Sequence, residues 1–128
     1  MPARNETLKD RLSRYREITI TVTGRKSGRS ISIPVWFVAE DVPGNVAGKD
    51  NLYLLPVQGS DTQWYKNVLK RPVMKIDARG AEAEVKVVLL TDAAQVSSVV
   101  EKFRAKYGAK DVKKYYSKFD VAVFAQVP

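Results

Sequence analysis

The stretch TVTGRKSGRSISIPVWF, residues 21–37, decides the fold. Two runs alternate like β-strands and flank a loop that carries Arg25, Lys26 and Arg29 between Gly24 and Ser30. A two-residue hairpin is ordinarily made with Asn-Gly or Asp-Gly, so three cations here ask for another explanation. Gly24 and Gly28 permit close backbone approach and positive φ, and Ser27 adds a hydroxyl, which together can surround a phosphate with N–H groups and positive charge. A solvated basic hairpin would contain the same residues. The spacing matches neither the phosphate loop G-x-x-x-x-G-K-[ST] nor G-x-G-x-x-G.

Outward from this hairpin, ITITVT (18–23) and SISIPVWFVA (30–39) read as strands by alternation and β-branched content. Ile31, Ile33, Val35 and Phe37 share one face, with Ser32, Pro34 and Trp36 on the other. Pro34 has no N–H to give, so the strand is an edge there or carries a bulge. Residues 40–51 form a long polar turn, and NLYLLPVQ (51–58) a third strand ending near Pro56 or Val57.

GSDTQWYKNVLKRP reads as a helix with Ser60 as N-cap, Gln63 as its capping-box partner and Pro72 as the stop, with Trp64, Val68 and Leu69 inward. VMKIDA (73–78) and AEAEVKVVLLT (81–91) are two strands around an Arg79-Gly80 turn. Asp92 caps the clearest helix, which carries Val96, Val99, Val100, Phe103 and Tyr107 on one stripe and stops at Gly108. A short helical piece over 111–116 leads into a last strand, FDVAVFAQV (119–127). At the other end, residues 1–17 form an amphipathic helix with Leu8, Leu12 and Tyr15 inward, either a lid on the core or a docking element for a membrane or partner.

The expected architecture is α+β, mainly β: about six antiparallel strands closed into a small barrel with two to three flanking helices, because strands and helices do not alternate as βαβ units would. At 128 residues the chain is one domain. Its parts are the N-terminal helix (1–17), a barrel core (18–90), and a helix with closing strand (91–128).

Lys and Arg number 22 against 14 Asp and Glu, a net charge of +8, which favours an anionic partner: phosphate, nucleic acid or an acidic membrane surface. Cysteine and histidine are both absent. Thiol nucleophiles, imidazole or thiolate zinc sites and Ser-His-Asp triads are therefore excluded, and chemistry would rest on a cofactor. No apolar run approaches the roughly 20 residues of a membrane span, and the polar start has no signal-peptide core, so a cytoplasmic protein is expected.

Aromatic residues gather near the basic loop. Trp36 lies on the second strand, and Trp64 and Tyr65 open the helix that follows Gln58-Gly59-Ser60. A helix start after Gly-Ser offers N–H donors, and flat aromatics can bound a planar ring, although each tryptophan would serve equally as a core anchor.

Three segments, T-G-R-K-S-G (23–28), I-P-V-W-F (33–37) and W-Y-K-N-V-L-K-R-P-V (64–73), resemble the deazaflavin-dependent nitroreductase family of split β-barrels, which are similar to flavin-nucleotide-binding barrels. The resemblance spans about residues 18–90. It implies that Arg25, Lys26 and Ser27, with Gly28 and Arg29 beside them, hold the phosphate and acidic tail of a reduced deazaflavin coenzyme. It further implies that the 31–36 strand with Pro34, Val35 and Trp36, the stretch Leu55 to Gly59 with Val57, Gln58 and neighbouring Ser60, and Gln63 to Asn67 with Trp64 and Tyr65 line the ring.

Such proteins pass a hydride to a quinone, nitro compound or activated alkene, with few side chains acting chemically. Tyr107, Tyr115, Tyr116 and Phe119 lie where relatives place aromatics around the acceptor, with Trp36 between coenzyme and acceptor, and are otherwise core or surface aromatics. Ser30-Ile31 stands where many members carry Pro-Arg, and Lys66 where a His is common, which keeps FMN open as the alternative cofactor. A non-catalytic deazaflavin carrier and a nucleic-acid-binding barrel are further readings, the latter disfavoured because the basic residues are scattered and interspersed with Glu and Asp. A homodimer and peripheral membrane contact for quinone access are implied by resemblance only.

Overall fold

The computed structural model describes residues 16–41, 50–78 and 80–127. The expected N-terminal helix, the 42–49 part of the polar turn and Arg79 lie outside the described residues.

Seven strands appear among these residues: β1 (Glu17–Thr23), β2 (Ser30–Asp41), β3 (Asp50–Leu54), β4 (Val73–Ala78), β5 (Ala81–Lys86), β6 (Val88–Leu90) and β7 (Ala122–Val127). Three α-helices accompany them, α1 (Gln63–Lys70), α2 (Ala93–Tyr107) and α3 (Ala109–Tyr115), with a 3-10 turn over Gly59–Asp61. The sheet order is β5-β4-β1-β2-β3-β7-β6, antiparallel throughout. β5 and β6 stand at opposite ends of that order yet are separated in sequence by Val87 alone, so residues 81–90 pair with β4 first and β7 next and close the sheet into a split β-barrel.

This closure turns the expected six or so strands into seven. The segment read as one strand over 81–91 breaks at Val87, whose N–H is given to Pro72 O at 3.0 Å instead of to a ladder. The third strand likewise stops at Leu54, leaving 55–58 as a strap. The expected cap also moves: α1 begins at Gln63 after Thr62, and Thr62 Oγ1 turns back to accept the Gln58 N–H at 2.8 Å. Asp92 does cap α2, accepting the Gln95 N–H at 3.1 Å, and Gly108 ends it at φ 95°. Among the described residues no helix is long and apolar enough to cross a membrane.

The period of two in the strands becomes an inside and an outside. Ile18, Ile20 and Val22 of β1, Phe37 of β2, Leu52 and Leu54 of β3, and Met74 and Ile76 of β4 fill the barrel. One step from Phe37, Trp36 and Val38 face a second cluster outside the barrel, where α2 lays Val96, Val99, Val100, Phe103 and Tyr107. Ile31 shares the inward parity but sits near the loop end of β2 and stays 38% exposed.

Tyr107 ties the two layers together. Its hydroxyl accepts the buried Phe37 N–H at 3.0 Å and lies 2.6 Å from Arg16 O and 2.7 Å from Phe37 O, to one of which it donates. The hydroxyl thus acts as a rung where the β1–β2 ladder ends at Glu17–Trp36. Beside it, Lys106 Nζ donates to Phe37 O at 2.7 Å and covers the Phe37 ring at 3.7 Å. Burial, and secondarily the Arg16 charge, lower the Lys106 ammonium to about 8, while burial raises the Tyr107 hydroxyl to about 12.

Removing the Tyr107 hydroxyl leaves the Phe37 N–H without a partner, so Tyr107→Phe is expected to lose about 1–3 kcal/mol, read as a lower urea midpoint at unchanged slope. The Lys106 value lies below its unfolded 10.5, so the unfolded chain binds more protons between pH 8 and 10.5 and the Lys106 contribution to stability rises with pH there. Stability gained by the wild type relative to Lys106→Met between pH 8 and 10 is the expected outcome of paired urea titrations. Above pH 10 the Tyr107 contribution is lost toward 12 in both proteins.

Candidate functional site

β2 runs past β3. Its pairing with β1 extends from Trp36 back to Ser30, whereas pairing with β3 begins only at Phe37. The β3 side of residues 30–36 is therefore an open edge, and Pro34 occupies it as its missing N–H requires. α1 and the 55–58 strap stand opposite this edge. Between them lies a groove of about 530 Å³, walled by Pro34, Trp36, Trp64, Tyr115 and Tyr116 with Gln63 at one end.

Trp36 is held flat against Tyr107 at 4.3 Å and 8°, with Tyr115 edge-on at 5.5 Å and Tyr116 at 6.0 Å. Trp64 is both core and wall, 3% exposed yet present in the groove lining. Burial, then the neighbouring Tyr107, raise the Tyr116 hydroxyl well above its usual range; like any tyrosine it is protonated at neutral pH and can donate.

The strap is pinned from the C-terminal side. Ser117 N–H donates to Val57 O at 2.8 Å, and Gln58 forms a parallel bridge with Lys118. Gly59 adopts φ 56°, and a Cβ there would fall 2.1 Å from Asp120 Oδ1, so only glycine lets the turn approach. Asp120 accepts the Ser60 N–H at 2.9 Å and the Ser60 hydroxyl, and Lys118 reaches Asp61 at 3.2 Å. Burial opposes ionisation of Asp120, but the Ser60 hydroxyl and N–H and the Lys118 charge together hold its carboxyl below the usual range. The N–H expected from Ser60 for a ligand is thus already satisfied.

The basic loop folds onto α1. Gly24 N–H donates to Arg29 O at 2.8 Å, Gly28 N–H to Gly24 O at 2.9 Å with Gly28 at φ 72°, and Ser27 Oγ accepts the Arg29 N–H at 3.1 Å. Asn67, 4% exposed, accepts from the Arg25 N–H at 3.1 Å and from Nη1 at 2.8 Å, and Gln63 Oε1 takes Nη2 at 2.9 Å. Lys70 Nζ closes the contact by donating to Arg25 O at 3.1 Å. A second cavity, about 520 Å³, opens between loop and helix and is lined by Arg25, Lys26, Ser27, Asn67, Lys70 and Arg71 among others.

The structure therefore brings Pro34, Val35, Trp36, Val57, Gln58, Trp64, Tyr115 and Tyr116 to the groove, and Arg25, Lys26, Ser27, Gly28 and Asn67 to the basic cavity. Arg29, Gly59, Ser60, Tyr65 and Tyr107 line neither: Tyr65 is buried in the core, and Tyr107 stands behind Trp36. Sequence reasoning missed Glu17 and Thr62 in the groove, and Lys70 and Arg71 in the cavity. The first of these carried a signal, since Lys70 stands three positions after Asn67 on α1 and Arg71 is the residue that caps it.

This geometry defines the class by fold: a split β-barrel of antiparallel strands. Among similar solved structures are an F420-H2 dependent reductase (16% identity, TM-score 0.59, 86% of this chain and 93% of that one) and a candidate pyridoxamine 5′-phosphate oxidase from Listeria innocua (12%, 0.61, 92% and 87%). A third is the heme storage protein HutZ from Vibrio cholerae (13%, 0.60, 94% and 86%). At these identities the likeness is one of fold. The chain itself belongs to the family described as "Uncharacterized protein conserved in bacteria (DUF2255)", whose model matches residues 9–122. No curated protein matches it.

Asn67 is expected to order the loop. In Asn67→Ala the Arg25 amide should exchange its hydrogen about tenfold faster, equivalent to ~1.4 kcal/mol of lost local protection, as read by native-state hydrogen exchange. Unchanged exchange would mean that the loop holds itself.

Proposed function

We propose that the chain is an oxidoreductase that uses a reduced deazaflavin coenzyme to reduce a small acceptor such as a quinone, nitro compound or activated alkene. One observation carries the reading: α1 presents Gln63 and Trp64 to an aromatic groove and Asn67 and Lys70 to a basic cavity, with Arg25 bridging Gln63 and Asn67. A flat head joined to an anionic tail is the kind of molecule that uses both spaces at once. The loop motif and the fold shared with an F420-H2 dependent reductase support the choice of cofactor.

When bound, the coenzyme supplies the hydride. In this reading Arg25, Lys26 and Ser27 bind the tail, and Pro34, Trp36 and Trp64 hold the ring. The strap at Val57 and Gln58 fixes the far wall and excludes water from that side. Tyr115, half exposed at the groove mouth, contacts the acceptor, and the Tyr116 hydroxyl, protonated at neutral pH, offers it a hydrogen bond. The apolar residues exposed at this groove, Val57 and Tyr115, suit either an apolar acceptor or a second copy in a homodimer. FMN is the second reading, favoured by the fold shared with a candidate pyridoxamine 5′-phosphate oxidase.

Fluorescence titration with the oxidised deazaflavin coenzyme and with FMN, on wild type and Lys26→Ala, separates these. Deazaflavin binding that weakens about tenfold in the variant, ~1.4 kcal/mol, is the expected result, followed by quinone-dependent oxidation of the reduced coenzyme. FMN binding alone moves the chemistry to the second reading, and binding of neither refutes both.

A further inference from the structure

One end of the groove is a corner of three aromatic rings. Trp36 and Tyr115 meet at 77° with ring centres 5.5 Å apart, and Tyr116 stands at 49° and 6.0 Å from the same indole. All three line the groove, and Tyr107, stacked behind Trp36 at 4.3 Å and 8°, keeps the indole from turning. Glu17 joins them. It is paired with Trp36 across the β1–β2 ladder, which puts both side chains on one side of the sheet, and it too lines the groove. Among the described lining residues Glu17 alone is charged, in a chain whose net charge is +8. An apolar ligand accounts for the rings but gives the carboxylate nothing to do. Ring faces carry partial negative charge and attract a cation, most strongly at tryptophan, so rings and carboxylate favour the same sign of ligand.

From this arrangement we infer that the Trp36 end of the groove is an aromatic cage for an organic cation, an alkylated ammonium group held by Trp36, Tyr115 and Tyr116 with Glu17 as its counter-ion. The inference rests on the proposed function only in taking this cation to be part of the acceptor. The chain's own cations lie near these rings without lining the groove. Lys114 sits 5.3 Å over Tyr115, which shows that this ring accepts an ammonium. Arg16 and Lys106 lie 4.9 and 5.1 Å over Tyr107, so their repulsion acts across the stacked pair, whereas Glu17 borders the groove directly. Specificity follows from the charge. A trimethylammonium group is favoured over an uncharged group of the same shape, and an acceptor that carries an anion at this end is disfavoured.

The test is an NMR titration of the full chain with choline and with its uncharged isostere, in which a tert-butyl group replaces trimethylammonium, read at the Trp36 indole N–H. Wild type is expected to bind choline about tenfold more tightly than the isostere. Glu17→Gln should weaken choline about threefold and leave the isostere unchanged, and Tyr115→Leu should reduce the preference for choline further. Both substitutions are at exposed positions, and an unchanged thermal transition establishes that the variants are folded. Equal affinity of wild type for the two compounds overturns the inference, as does binding of neither or a choline preference that survives in both variants. Parallel titration with the deazaflavin coenzyme and FMN separates this claim from the one it rests on. If choline behaves as expected but neither ring compound binds, the proposed function fails and the cation cage stands. If the coenzyme binds and reduces a neutral quinone, yet choline and its isostere bind alike, the inference fails and the function stands.

Discussion

Alternation along β2 is the constraint on which the rest depends. Phe37 points into the barrel and Trp36 out of it, and a slip of one residue would exchange them. Register is held at this point by the Tyr107 hydroxyl, which supplies the rung that β1 lacks beyond Glu17. The same ring lies flat on Trp36 and so sets the plane of the groove wall. Stability and site geometry meet in one side chain, which explains why Tyr107 is buried although it lies only one residue layer from the groove.

The site is made by what the sheet leaves unpaired. β2 outruns β3, Pro34 removes a donor from the exposed edge, and the strap at 55–58 is drawn away by Ser117 and Asp120 instead of continuing the ladder. An open sheet edge is normally a liability, and here α1 stands across it. One helix consequently serves two environments, an aromatic groove with few polar groups and a cavity whose described lining holds Arg25, Lys26, Lys70 and Arg71 and no carboxylate. Arg25 links them, because its guanidinium is fixed by amides that leave its charge available.

Polar residues that sequence reading assigns to a ligand divide by whether the fold has already used them. Ser60 is spent on Asp120, and the Ser27 oxygen accepts from Arg29 while its proton has no partner among the described residues. Arg29 gives its carbonyl to closing the loop. Asn67, read as part of the ring lining, is buried and anchors the loop. A residue's type and its place in a motif state what it can bond, and only its neighbours state what it does bond.

The sequence by itself determined most of the described strands and helices, because period-two alternation, the Asp92 cap and the Gly108 stop are local: each is satisfied by residues within a few positions. It also marked the basic loop, Trp36 and Trp64 as the elements of a site. Tertiary structure decided how the barrel closes, since a break at Val87 depends on Pro72 and β7 and not on any residue beside it. It decided too that Lys70 and Arg71 share a cavity with Arg25 and Lys26, more than forty positions away in the chain for the nearest pairs. Long-range juxtaposition carries no local periodic signal, and the charge of a cavity is a property of all its walls together.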